Sequence, residues 1–259
     1  MQKNRQIGFN RRIQLEWLDR VANLAMAGND RQTINDALQD FLKDKLSGGN
    51  PDVRGSREKA ITILMKTWVT VPAELRNFRD EGFEYLQRLP SEKHLPLHWG
   101  MCMATYGFFG KAATTMGRML RLQDSFNASH IQRRLQEIYG QRDALHYATE
   151  RILRTMVDWD ILADADRKGN YRLNNCIEVE SPELSTWLIE AYLANTDSGS
   201  AELDTVLNAP AFFPFKLDPP DVNALRKHPR IHYGMHGINK PVLSLNNQQE
   251  DSRKRGSYE

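Results

Sequence analysis

The chain has 259 residues, 40% hydrophobic and 26% charged, with 35 Lys and Arg against 33 Asp and Glu for a formal net charge of +2. That balance excludes a surface that is basic all over, so any basic patch must be local, and the apolar share supports a substantial core shared between two domains. The two cysteines, Cys102 and Cys176, belong to no C-x-x-C pair, which excludes the usual kind of zinc site and points to a reducing, cytoplasmic setting.

Residues 1–12 carry Lys3, Arg5, Arg11 and Arg12 around Gly8 and little that could pack. They read as a basic arm that settles on DNA, or as a disordered terminus. No apolar segment follows the first charges, so no secretory signal is expected there.

Residues 13–126 read as an all-helical bundle. Ile13, Trp17, Val21 and Leu24 recur at helical spacing until Gly28-Asn29, and Asp30 is placed to cap a second helix that turns Ile34, Leu38, Phe41 and Leu42 inward. Ser56 is placed to cap a third, Arg57 to Trp68; Val69 to Val71 is strand-like; Pro72 opens a fourth with Leu75, Phe78, Phe83 and Leu86. The uncharged run Leu95 to Gly110 falls short of the roughly 20 apolar residues needed to span a bilayer. It reads as one buried helix, and no membrane partner is expected. Another helix is expected from Lys111 to Gln123.

Residues 127–196 hold the pattern around which the chain is organised. Ile131, Leu135 and Ile138 make one apolar stripe ending at Gly140, and Leu145, Ala148, Ile152 and Met156 make a second over 142–159. Two short strands follow, Ile161-Leu162 and Tyr171 to Leu173, around the charged turn 163–170. Helix, turn, helix and basic hairpin is the layout of a winged helix, in which the second helix enters the major groove and the hairpin grips phosphate. Tyr147, Arg151 and Arg154 are the candidate groove contacts. Arg133, Arg134, Arg167, Lys168 and Arg172 are the candidate backbone contacts, and Tyr171, with Arg11 and Arg12 of the arm, is a further candidate DNA-binding residue. The alternative is that the same unit docks other proteins.

Beyond it, 197–245 reads as a short α/β extension. The cluster Phe212-Phe213-Pro214-Phe215 is expected to pack on the body or on a partner. Ile231 to Leu245 suggests one or two strands, and 246–259 a disordered tail.

Chemistry is sparse. His228, His232 and His236 are spaced four apart, but Pro229, Gly234 and Gly237 argue against a helix, and no nearby carboxylate or cysteine completes a metal set. A backbone contact to nucleic acid by His228, Arg230 and His232 is a rival reading. His94 and His98, with Pro96 between them, read as satisfied buried histidines. Asp158, Asp160, Asp164 and Asp166 raise a nuclease-like carboxylate site, yet their alternation with Trp159, Ile161, Ala163 and Ala165 is that of a solvated strand edge. With no phosphate loop, nucleophile elbow or H-E-x-x-H, neither catalysis nor a cofactor is expected.

The helical N-terminal half, the aromatic segment Trp99, Tyr106 and Phe109, and the passage with Arg151, Leu153, Met156 and Leu162 resemble the BrxA family of BREX phage-defence systems over about half the chain. The extension from about Asp197 has no place in that resemblance. It implies a cytoplasmic, non-enzymatic DNA-binding accessory of a bacterial defence system, with other defence proteins as partners.

Overall fold

The computed structural model describes residues 6–49, 55–237 and 240–246, and it is mainly helical with three small sheets. The predicted arm overlaps them from residue 6; Lys3 and Arg5 lie outside, as do 247–259 of the predicted tail. The overlap corrects the prediction. Residues 6–14 run extended into the body, and Phe9 and Ile13 are fully buried. Phe9 meets the rings of Tyr106 and Phe109 edge-on at 5.5 and 5.3 Å. An apolar side chain every fourth residue was enough to anchor a stretch that is otherwise polar.

Five helices follow: α1 (Leu15–Met26), α2 (Arg31–Leu42), α3 (Ser56–Trp68), α4 (Arg76–Arg88) and α5 (Leu95–Thr105). Asp30 caps α2 by accepting from the Thr33 amide at 2.8 Å. Ser56, in contrast, is the first residue of α3, with Gly55 in the capping position. Val69 to Val71 is no strand: the Val69 amide closes the last turn of α3, and Val71 is buried by the body. Tertiary packing has overridden local β-branched preference.

The uncharged run is two helices rather than one. Tyr106 is extended between α5 and α6 (Gly107–Leu122). α5 is buried on every side, so its sequence has no polar face to mark a period.

Next come β1 (Ser125–Asn127), α7 (Ala128–Tyr139), α8 (Asp143–Asp158), β2 (Leu162–Asp164) and β3 (Asn170–Leu173). These strands form one antiparallel sheet with β3 in the middle. Phe126 and Asp164 flank Tyr171 in register, and Ser125 and Ala163 flank Arg172. The chain continues through β4 (Ile177–Val179), α9 (Pro182–Asn195), β5 (Ser200–Glu202), α10 (Leu203–Leu207), β6 (Phe215–Leu217), α11 (Val222–Lys227), β7 (Ile231–Met235) and β8 (Pro241–Leu245). β4 pairs in parallel with β6, and β5 and β7 flank β8.

One continuous apolar core runs from Phe9 through the bundle and the α7–β3 unit to Phe215. Phe213 and Phe215 stand edge-on to Trp99, so the Phe212–Phe215 cluster is used internally and is not a docking patch. A second, smaller core gathers Leu203, Val206, Leu225, Ile231 and Leu243 around Ile189 and Leu193 of α9. α9 thus serves both. Its other side sets Trp187 flat on Phe78, ring centroids 4.2 Å apart, and against Gly100, where a Cβ would come within 2.3 Å of the indole. Gly117 likewise lets the 210–212 turn approach α6, since a Cβ there would meet the Pro210 carbonyl oxygen at 1.9 Å.

Candidate nucleic-acid interface

α7 begins where Asn127 accepts from the Ser129 amide at 2.9 Å and ends at Gly140, whose φ of 77° suits a residue without Cβ. The turn leads into α8, which buries Leu145, Ala148, Ile152 and Met156 as its spacing predicts. The outward face of α8 then carries Asp143, Tyr147, Glu150, Arg151, Arg154 and Asp158 by helical geometry. Tyr147 is 59% exposed.

The N-terminal segment lies along the second half of this helix. The Ile13 amide donates to Thr155 Oγ1 at 3.1 Å, and the Trp159 indole N–H donates to the Ile13 carbonyl at 2.9 Å. Arg12 forks onto both oxygens of Asp158, which also accepts from Gln14 at 2.8 Å. Two residues earlier in the segment than Ile13, and one turn earlier in the helix than Thr155, Arg11 and Arg151 come alongside one another. Burial and the neighbouring Arg151 charge both push the Arg11 guanidinium below its ordinary pKa. Arg11 Nε is buried without a partner.

The predicted contacts therefore divide. Arg11, Arg151, Arg133, Arg167 and Lys168 have no carboxylate partner among the described residues; Arg133 and the turn pair Arg167–Lys168 are exposed. Arg12 is held by Asp158. Arg154 bonds both oxygens of Asp164 at 3.0 Å, tying α8 to the hairpin. Arg134 pairs with Glu137 at 3.2 Å, on the flank of α7 away from Gln132, which meets His146 of α8 at 2.9 Å. Tyr171 is corrected: it is buried on the inner face of the sheet beside Phe126 and presents nothing to a ligand. Arg172, one residue on, is exposed on the opposite face, turned away from α8. Arg142, at the head of α8 and exposed, was not singled out from the sequence.

The aspartates of the hairpin do not converge. Asp158 and Asp164 are occupied by arginines, and Asp160, at a φ of 58°, holds the side-chain amides of Asn174 and Asn175. The partners of Arg12 and Arg154 lie 146 and 10 residues away, and no local pattern marks either pair.

Two clusters of metal-ligand type occur among the described residues, and neighbouring groups fill both. In the first, the Trp68 indole donates to His98 Nδ1 at 3.2 Å, so Nε2 keeps the proton and donates it to Asp19 Oδ1 at 3.0 Å. That proton occupies the lone pair a metal would need. His94 bridges the same Asp19 oxygen at 2.6 Å and the Leu89 carbonyl at 2.9 Å. Burial lowers the His94 pKa, but the two acceptors outweigh it and the net shift is upward. Burial also lowers that of fully enclosed His98, and there it wins. Asp19, despite desolvation, is held well below the usual carboxylate range by the two imidazoles.

The signs follow. The Asp19 contribution is present above the unfolded carboxylate pKa of about 3.9 and is lost as pH falls through the folded value. The His94 contribution is full below about pH 6.5 and fades as pH rises through its raised value, whereas neutral His98 opposes folding below about 6.5. NMR titration should give His94 a midpoint above about 6.5 and His98 one below it, with Asp19→Asn bringing His94 down. Coincident, ordinary midpoints would rule out the shared carboxylate.

In the second cluster the cation is Arg230, which bonds Glu190 at 2.7 and 2.9 Å and also reaches Glu81. His228 borders this pair, His232 is exposed on β7 and His236 lies past its end, so the three histidines share no site. Arg230 faces inward, which corrects the reading of His228, Arg230 and His232 as a nucleic-acid contact.

No protein-family model, curated protein or solved structure matches the chain. No described helix is long and apolar enough to cross a membrane.

Proposed function

We propose that α6, β1, α7, α8, β2 and β3 form a winged helix and that the chain is a non-catalytic binder of duplex DNA. The order of elements, with β1 closing on β3, supports this. The N-terminal segment covers the second half of α8, which leaves the first half of the helix and the hairpin turn for groove and phosphate. The observation that carries it is the open first half of α8, with Tyr147 outward, Arg11 and Arg151 alongside and the Arg167–Lys168 turn on the adjoining hairpin, all four cations without carboxylates among the described residues. The likeness to the BrxA family supports a role as a cytoplasmic accessory of a BREX-type defence system.

Arg151→Ala and Lys168→Ala should each flatten the salt dependence of duplex binding by about 1 in log–log slope, Lys168→Ala on every sequence alike and Arg151→Ala, on the groove helix, with a loss that differs between sequences. Stability should stay within about 0.5 kcal/mol of the parent. Equal affinities at low and high salt would take both side chains out of the interface.

A protein-docking role is the second reading. It is favoured by the acids on the same face, Asp143, Glu150, Asp158 and Asp164, two of which already neutralise Arg12 and Arg154. Association that ignores salt would select it.

A further inference from the structure

A groove of about 760 Å³ runs between α2 and α3. Asn35 and Gln39 line it from α2, Ile61 and Met65 from α3, and its cations are Arg31 and Lys66. Lys66 is half-buried, its Nζ 4.5 Å from the centroid of the Tyr106 ring, and burial alone pulls its pKa down. Neither Lys66 nor Arg31 has a carboxylate partner among the described residues, and the amides of Asn35 and Gln39 are unengaged there too. Glu58 also lines the groove, but it is turned to Arg57 and to the backbone amides of Gly49 and Gly55.

The Tyr106 ring connects this groove to the N-terminal segment that runs along α8. Gly8 lies so close to it that a Cβ would come within 2.9 Å of the ring. Phe9 packs edge-on against the same ring. Three residues after Gly8, at most about 10 Å of extended chain, stands Arg11 beside Arg151. One run of backbone thus joins two sets of cations that have no carboxylate partner among the described residues.

We propose that the α2–α3 groove carries nucleic-acid backbone beyond the α8 face, so that a single duplex is held by Lys66 and Arg31 as well as by Arg11 and Arg151. This rests on the duplex-binding reading. Cationic and amide side chains suit phosphate and sugar rather than base edges, so the groove adds length and salt dependence to the footprint, not sequence preference.

Fluorescence anisotropy with duplexes of about one and about three helical turns tests it. The parent protein is expected to bind the longer duplex more tightly and with the steeper salt slope. Lys66→Gln combined with Arg31→Gln should reduce the slope on the longer duplex by about 2 and leave the shorter one unchanged. Should Lys66→Gln disturb folding, Arg31→Gln alone, at an exposed position, is expected to remove about 1. An unaltered slope on the longer duplex, with Arg151→Ala still weakening both, overturns the groove proposal and leaves the α8 reading standing. Failure of the parent protein to bind either duplex removes both. Polyglutamate binding that disappears in Lys66→Gln while duplex binding is unaffected also overturns it, and assigns the groove to an acidic peptide.

Discussion

Arg230→Met is expected to destabilise the protein by about 3–5 kcal/mol, because it leaves a buried carboxylate without its counter-ion. Glu190 is 4% exposed, and Glu81 shares the same guanidinium. Burial already raises the Glu190 pKa against the pull of Arg230. Without that arginine it should rise further. An acid whose folded pKa is raised favours folding at low pH and loses that contribution as pH climbs, so the deficit of the variant should be smaller near about pH 5 than near about pH 8. Urea unfolding at the two values measures it. A deficit independent of pH would mean that the loss comes from packing of the arginine stem rather than from the stranded charge.

Phe9→Ala should cost about 3–5 kcal/mol, as for a large side chain removed from a filled core. A loose arm would give nearly zero, so chemical denaturation separates the two descriptions of residues 6–14 directly. The substitution also bears on function. The backbone that Phe9 and Ile13 anchor is what sets Arg11 against Arg151, so a variant that stays folded should lose duplex affinity without any charge having been altered.

Helices with one wet face were readable. Leu145, Ala148, Ile152 and Met156 on α8 are buried as their spacing predicts, and Asp30 caps α2 as expected. The end of α5 is not legible, because a helix enclosed on all sides has no polar stripe to set its phase or end. The parallel pairing of Ile177–Val179 with Phe215–Leu217 joins residues 38 apart through strands of three, too short to leave a pattern. At the candidate interface the cations were visible as residue types, but their availability was not. Arg154 and Arg151 look alike on the helix, and only Asp164, fetched by the hairpin, tells them apart. Tyr171 and Arg172 are neighbours in sequence, and the pleat sends one inside and the other out.

α9 has a further consequence for where the chain can be divided. Its polar exit, Thr196 to Gly199, has the composition of a border between independent units. Yet the helix just before it is a party wall: Trp187 and Leu188 furnish the room on one side, Ile189 and Leu193 the room on the other. Demolish either room and the wall stands bare. Residues 200–246 are therefore an annexe that cannot be vacated, and the border of composition is not a border of cohesion.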